Sequence, residues 1–117
     1  MKMIVAVIRP EKLDAVITAL DERDVHLMTV SDVRGCGRQR GYTETYRGAE
    51  YKTRLLPKLK LEIAVNEHFV AATIDAIMKA GRTETTGQIG DGKIFVLSLE
   101  DCVRIRTGEQ GMVAIGP

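Results

Sequence analysis

The segment Thr86-Gly87-Gln88-Ile89-Gly90-Asp91-Gly92-Lys93 has the composition of a loop that cradles phosphate. Glycines let backbone N–H groups turn toward an anion with no side chain in the way, and Lys93 adds a positive charge. The spacing is not that of a Walker loop, and the segment leads into a strand rather than a helix. A tight Asp-Gly turn ahead of a strand explains the same residues, so both readings stand at this point. Arg104 and Arg106 lie two apart in a segment that reads as extended, which puts them on one face. Paired guanidinium groups suit phosphate or carboxylate recognition, and they also suit a solvated edge with surface ion pairs. Gly35-x-Gly37-Arg38-Gln39 closes a strand-like run. There Gly37 permits close backbone approach while Arg38 and Gln39 offer donors, or the stretch is a flexible loop entry. Lys58, after Pro57, can reach back toward a carboxylate ligand or sit on the surface.

Between these residues lies Tyr46-Arg47-Gly48-Ala49-Glu50-Tyr51, inside a gap of about 20 residues between strand-like runs. Compact domains keep such a gap for lids, binding arms or disorder. Tyr42, Tyr46 and Tyr51 stand among Arg38, Arg40, Arg47 and Arg54, and Tyr and Arg are the residue types that anchor interfaces. Basic and aromatic residues interleaved in this way also suit single-stranded nucleic acid. Glu44, Glu50 and a formal net charge of +1 weigh against that partner. His26 and His68 have no partner at ligand spacing, and no Ser-His-Asp or Cys-His set can be assembled, so a covalent catalytic site is not expected. An arm carrying tyrosines beside a nucleotide-type loop points to a sensor rather than an enzyme.

The chain has 117 residues, 44% hydrophobic and 28% charged, which fits one globular domain with a modest core. Aromatics reach only 4%, with no Trp, so that core must be aliphatic. Cys36 and Cys102 have no metal-ligand spacing and read as reduced thiols of a cytoplasmic protein. Met1-Lys2-Met3-Ile4-Val5 is too short and too soon polar for a signal peptide, and no apolar run reaches the length of a membrane span.

The elements that must position these groups follow from periodicity. Met1 to Ile8 reads as a strand buried on both faces or nearly so. Pro10 suits a first helical turn, and Leu13, Val16, Ile17 and Leu20 recur at helical spacing, predicting a helix to about Asp24. Val25 to Val33 reads as a second strand. Leu59, Leu61, Ile63 and Val65 alternate with polar or small residues, as in a strand with one buried face. Asn66 is placed as the N-cap of a second helix striped by Val70, Ile74, Ile77 and Met78, with Gly81 as its C′ glycine. Ile94 to Leu99 reads as a fourth strand. The order predicts an α+β chain, a single domain over 1–117, built as a ferredoxin-like split β-α-β with a long loop between its halves. Helices on one sheet face leave the other bare, which predicts an oligomer packed through its sheets.

With these residues in place, the chain resembles the PII nitrogen-regulatory signal-transduction proteins of the GlnB/GlnK type over essentially its whole length. Tyr46 to Tyr51 matches the family's modification motif, and the Thr86 to Leu99 stretch matches its Gly-Asp-Gly-Lys-Ile-Phe core. Gly35-x-Gly37-Arg38-Gln39, Leu56-Pro57-Lys58 and Arg104-x-Arg106 match in order and position. The resemblance implies a homotrimer with ATP and ADP competing for three clefts between subunits. Thr86, Gly87, Gly90, Asp91, Gly92 and Lys93 would belong to the phosphate loop, with Gly35, Gly37 and Arg38 on the arm side. Arg104 and Arg106 would reach in from a neighbouring subunit, and Thr29, Glu62 and Ala64 would border the adenine and ribose. 2-Oxoglutarate would join a Mg2+-ATP complex through Gln39 on the metal and Lys58 on the distal carboxylate. Tyr51 would be the uridylylation site, and Arg47 at the arm's tip the residue that meets a target.

The targets implied are an ammonium transporter, which would be the only link to a membrane, a regulator of glutamine synthetase, or an arginine-pathway kinase; nucleic acid is not among them. At most a slow ATPase side activity is expected. The alternative is a diverged regulator of another transporter or carbon-uptake system, answering to adenine nucleotides without 2-oxoglutarate. Three features depart from the pattern: the Arg82-Thr83-Glu84-Thr85 region is longer than in enteric members, the tail is less acidic, and Arg54 adds charge to the arm.

Overall fold

The computed structural model describes residues 1–36, 43–46, 49–52 and 55–116, with backbone alone for 43–46 and 49–52. β1 (Lys2–Ile8) leads through extended Arg9 to Pro10, which opens a 3-10 turn (Pro10–Lys12) at the position where a missing N–H costs nothing. α1 (Leu13–Asp21) follows, then β2 (Thr29–Gly35), a short ribbon of β3 (Thr43–Tyr46) and β4 (Ala49–Lys52), and β5 (Leu56–Val65). A second 3-10 turn (Glu67–Phe69), α2 (Val70–Gly81), β6 (Gly92–Ser98) and a one-turn α3 (Met112–Ile115) complete the chain. The main sheet has the order β2-β5-β1-β6, and every pairing in it is antiparallel. This is the α+β, ferredoxin-like arrangement expected from the sequence.

Both helices cover one sheet face. Val16 and Leu20 of α1, and Ala76 and Ile77 of α2, bury against Ile4, Ala6 and Ile8 of β1 and Leu59, Leu61, Ile63 and Val65 of β5. The core is aliphatic, as the scarcity of aromatics requires. Buried Thr73 satisfies its hydroxyl on the Phe69 carbonyl, 2.8 Å away. Arg23 and Asp75 tie the two helices together at 2.7 Å.

Several element boundaries differ from the sequence expectations, each for a local reason. β1 buries one face only: Ile4, Ala6 and Ile8 are covered, whereas Met3, Val5 and Val7 are partly exposed on the face without helices. α1 ends at Asp21, because a turn through Asp24, at φ 60°, reverses the chain and lets the Val25 N–H bond the Leu20 carbonyl. β2 therefore begins at Thr29 rather than Val25. β5 starts three residues earlier than the apolar alternation suggests, at Leu56, and β6 starts at Gly92. Asn66 stands at the N-terminal boundary of the Glu67–Phe69 turn but makes no cap bond. Its Nδ2 instead donates to the Met112 and Gly116 carbonyls, anchoring the C-terminal turn. Met78 faces outward, and Gly81 is the last helical residue rather than a left-handed cap. It packs beside Ile8 and Val16, and an added Cβ would meet each at an ordinary contact distance of 3.9 Å. The long gap carries the β3–β4 ribbon, in which Tyr46 opposes Ala49.

The face without helices is apolar in its middle. By register, Val5 lies beside Phe95 and Met3 beside Leu97, and Phe95 and Leu97 are each about half exposed. A single chain leaves this surface open to water.

Candidate functional site

The site is built on the connection from α2 to β6. Three of its glycines, Gly87, Gly90 and Gly92, have φ of 78°, 99° and 115°, a region that other residues rarely adopt. Gly92 is further constrained, because a Cβ there would sit 1.7 Å from the Val7 carbonyl oxygen. The Asp91 carboxylate gathers the loop around itself. It accepts from the Thr83 N–H at 2.9 Å, the Thr83 hydroxyl, the Gln88 N–H at 2.8 Å and Arg9 Nε at 2.9 Å. Partial desolvation alone would raise the Asp91 pKa. The donors from Thr83, Gln88 and Arg9 outweigh it and hold the carboxyl well below its usual range. A carboxylate bound in this way shapes the loop and leaves the approach of an anion to the backbone and the cations.

Arg9 also donates from Nη2 to the Ile89 carbonyl at 2.9 Å, and Lys58 Nζ donates to the Gly90 carbonyl at 2.6 Å. Burial, and next the Arg9 charge, push the Lys58 ammonium below its ordinary pKa, while Glu11 and Asp91 pull it partly back. Two consecutive carbonyls thus face cations. In a trans peptide the following N–H points the opposite way, so the Gly90 N–H is directed away from Arg9, and it makes no hydrogen bond among the described residues. Arg9 was not singled out from the sequence. Its one signal there is a basic residue at the end of a buried strand, immediately before the helix-opening Pro10.

A cavity of about 750 Å3 brings together Gly35 from the end of β2, Lys58 from β5, and Gly90, Gly92 and Lys93 from the loop. Val7, Phe95 and exposed Cys36 also line it. Gly35 pairs with Leu56, so both roots of the arm meet at this cavity, and the Lys58 stem passes at ordinary contact distance from the position a Cβ on Gly35 would take. A second cleft, of about 710 Å3, lies on the helical side of the same loop and takes in Gly81, Arg82, Thr86, Gly87 and Asp91. Thr29 pairs with Glu62 across β2 and β5, and Ala64 follows two residues along β5 on the same face. These three lie on the helix-free face of the sheet but line neither cavity among the described residues.

The two tail arginines do not share a strand face. Val103 bridges to Gln110, and the residues between form a turn. Arg104 is held inside it: Nη1 donates to Glu109 at 2.7 Å and Nη2 to the Val113 and Ala114 carbonyls at 3.1 and 3.3 Å. Arg106 is exposed at the turn and makes no hydrogen bond or ion pair among the described residues. Neither arginine lines the cavities of its own chain. Gly37, Arg38, Gln39 and Arg47 lie outside the described residues. Tyr51 is placed on β4 opposite Glu44, by backbone only.

Left-handed glycines, a backbone N–H without a partner among the described residues, and Lys58 and Lys93 lining one cavity have the chemistry of an anion-binding loop. The profile of the family described as nitrogen regulatory protein P-II matches residues 1–109. The chain belongs to the P-II family. It is 53% identical over 115 residues to nitrogen regulatory protein P-II 2 of Methanothermobacter thermautotrophicus, covering 98% of this chain and 97% of that protein. It is also 53% identical over 115 residues to nitrogen regulatory protein GlnK1 of Methanosarcina mazei, with 98% and 97% covered. The P-II protein of Mesorhizobium japonicum is 52% identical, with 98% of this chain and all of that protein covered. P-II proteins are regulatory signal transducers of nitrogen metabolism rather than enzymes, and this chain is one of them. No helix among the described residues is long and apolar enough to cross a membrane.

Proposed function

We propose that this P-II protein senses ATP, ADP and 2-oxoglutarate and passes their balance to nitrogen-assimilation targets through its arm. The observation that carries the reading is the cavity in which Gly35 and Lys58, from the two roots of the arm, meet Gly90, Gly92 and Lys93 of the glycine loop. A phosphate chain in that loop would sit where arm and loop already touch, at the 2.6 Å bond from Lys58 to the Gly90 carbonyl. A dicarboxylate arriving beside it would compete for the same ammonium. The arm would then be a two-state element whose populations the ligands shift. Gln39 would hold Mg2+ with Arg38 nearby, Thr29, Glu62 and Ala64 would border the base and ribose, and Arg104 and Arg106 would come from a neighbouring copy. The apolar helix-free face, centred on Val5 and Phe95, would be covered in a homotrimer. Arg47 would meet the target, an ammonium transporter or a metabolic enzyme, and uridylylation of Tyr51 would block that docking in a cytoplasmic setting.

Isothermal titration with ATP, with ADP, and then with 2-oxoglutarate in the presence of Mg2+-ATP tests this. Binding of 2-oxoglutarate only when Mg2+-ATP is present is the expected result. Nucleotide binding with no response to 2-oxoglutarate would replace the reading with the diverged regulator, and no nucleotide binding would remove both. Light scattering on the eluted protein should give three copies per particle, and a monomer would overturn the assembly.

A further inference from the structure

We propose that Arg9 and Thr83 are positioning residues that hold the glycine loop in its binding shape through the Asp91 carboxylate before any ligand arrives. The inference rests on the nucleotide-sensing reading above and names residues that set the loop without touching the nucleotide.

The geometry points to both residues independently. Arg9 bridges two loop positions from one guanidinium, with Nε on Asp91 and Nη2 on the Ile89 carbonyl, each at 2.9 Å. Its side chain and that of Asp91 are only 16% and 18% exposed, so water competes weakly for the pair. A lysine would have to meet both acceptors from a single nitrogen, whereas the guanidinium fork meets each with its own N–H. Thr83 grips the same carboxylate twice, by N–H and hydroxyl, while its own carbonyl accepts the Gly87 N–H at 3.0 Å. To make that turn the chain places Glu84 at φ 57°, a conformation uncommon for a residue with a side chain. The Arg82–Thr85 stretch thus delivers two of the four donors around Asp91. Through the Ile89 carbonyl, Arg9 also decides which way the Gly90 N–H points.

The test uses the full-length protein and four variants: Arg9→Lys, Arg9→Met, Thr83→Val and Thr83→Ser. Hydrogen exchange of peptides spanning 83–92 is read in the ligand-free protein, and Mg2+-ATP affinity by titration. Arg9→Met, Arg9→Lys and Thr83→Val should each exchange faster in 83–92 alone and bind ATP about tenfold more weakly, the loss expected for a hydrogen bond to a charged group. Thr83→Ser keeps the hydroxyl and should restore affinity with no change in melting temperature.

Unchanged exchange in 83–92 for Arg9→Met, in a protein that still melts cooperatively, would overturn the proposal. So would loosened exchange with unchanged affinity, because the loop's shape would then not matter to binding. If the wild-type protein bound no nucleotide but Arg9→Met still loosened the loop, the clamp would stand and the sensing function would fall.

Discussion

Gly92→Ala is the most direct probe of how the site is built into the sheet. Gly92 is both the last glycine of the loop and the first residue of β6, paired with Ile8. A Cβ there would lie 1.7 Å from the Val7 carbonyl oxygen, 2.8 Å from its carbon and 3.3 Å from the Ile8 Cα. All three neighbours are backbone at the end of the central strand, so no rotamer change can make room. The β6 end must withdraw by more than about 1 Å to reach ordinary contact distance. Holding an alanine at positive φ costs about 1–2 kcal/mol. Losing one or two ladder hydrogen bonds at the end of β6 adds about 1 kcal/mol each, giving roughly 2–4 kcal/mol in all.

Gly108→Ala supplies the control. Its φ is 72°, but nothing lies within 4 Å of the added Cβ, so it carries the torsional cost alone. Urea unfolding of both variants at one protein concentration, which matters if the chains associate, measures the difference. Gly92→Ala should be the less stable by about 1–2 kcal/mol, the share assigned to the displaced ladder. Equal midpoints and slopes would refute the claim that the Val7 carbonyl excludes a side chain at position 92.

Other perturbations separate the remaining parts. The Asp91 carboxyl is held below its unfolded-chain value of 3.8, so it stabilises the fold above that pH and loses this contribution as pH falls toward the folded value. Asp91→Asn should therefore lower the melting temperature at neutral pH and flatten its acid decline below about pH 4; a parallel decline in both proteins would contradict the donor count. Gly81→Ala should be neutral or stabilising by up to about 1 kcal/mol, since the residue is helical and a Cβ meets only ordinary contacts; a marked loss would restore the C′ reading. Arg104→Ala should speed exchange in residues 109–116 and cost about 1 kcal/mol, because its pair with Glu109 is partly exposed; unchanged exchange there would show that the turn holds itself. Arg47→Ala should abolish capture of the target protein while leaving ATP titration unchanged, and intact capture would move the docking residue elsewhere on the arm.

Much of the fold was legible because periodicity reports burial. The alternation at Leu59, Leu61, Ile63 and Val65 and the helical spacing of Val16 and Leu20 mark residues that the structure buries. Boundaries were less legible, because they depend on contacts remote in sequence. Nothing near Asn66 announces that its amide will reach the Met112 and Gly116 carbonyls rather than cap the turn beside it. Nothing near Gly81 announces that the helix runs through it rather than stopping before a left-handed cap. The arginine pair was misplaced for a related reason. Arg-x-Arg spacing implies a shared face only in extended chain, and a turn closed by the Val103–Gln110 bridge removes that premise.

The glycine loop raises the same issue within a single residue. The family resemblance implies Asp91 as a neighbour of phosphate, and a carboxylate beside a phosphate is electrostatically unfavourable unless something else needs it there. The structure supplies that need, with four donors from Arg9, Thr83 and Gln88 converging on the one side chain. The negative charge is thereby offset by its own donors and by the ion pair with Arg9, while Lys93 lines both clefts beside the loop. A glycine-rich segment is intrinsically mobile, and ordering it on binding would cost affinity. An internal carboxylate that has already ordered the loop removes that cost. The same arrangement explains why its key residues are dispersed: Arg9 closes β1, Thr83 follows α2, and Lys58 lies in β5. No local motif can encode such a set, because only the pairing of β1 with both β5 and β6 brings them to one end of the sheet.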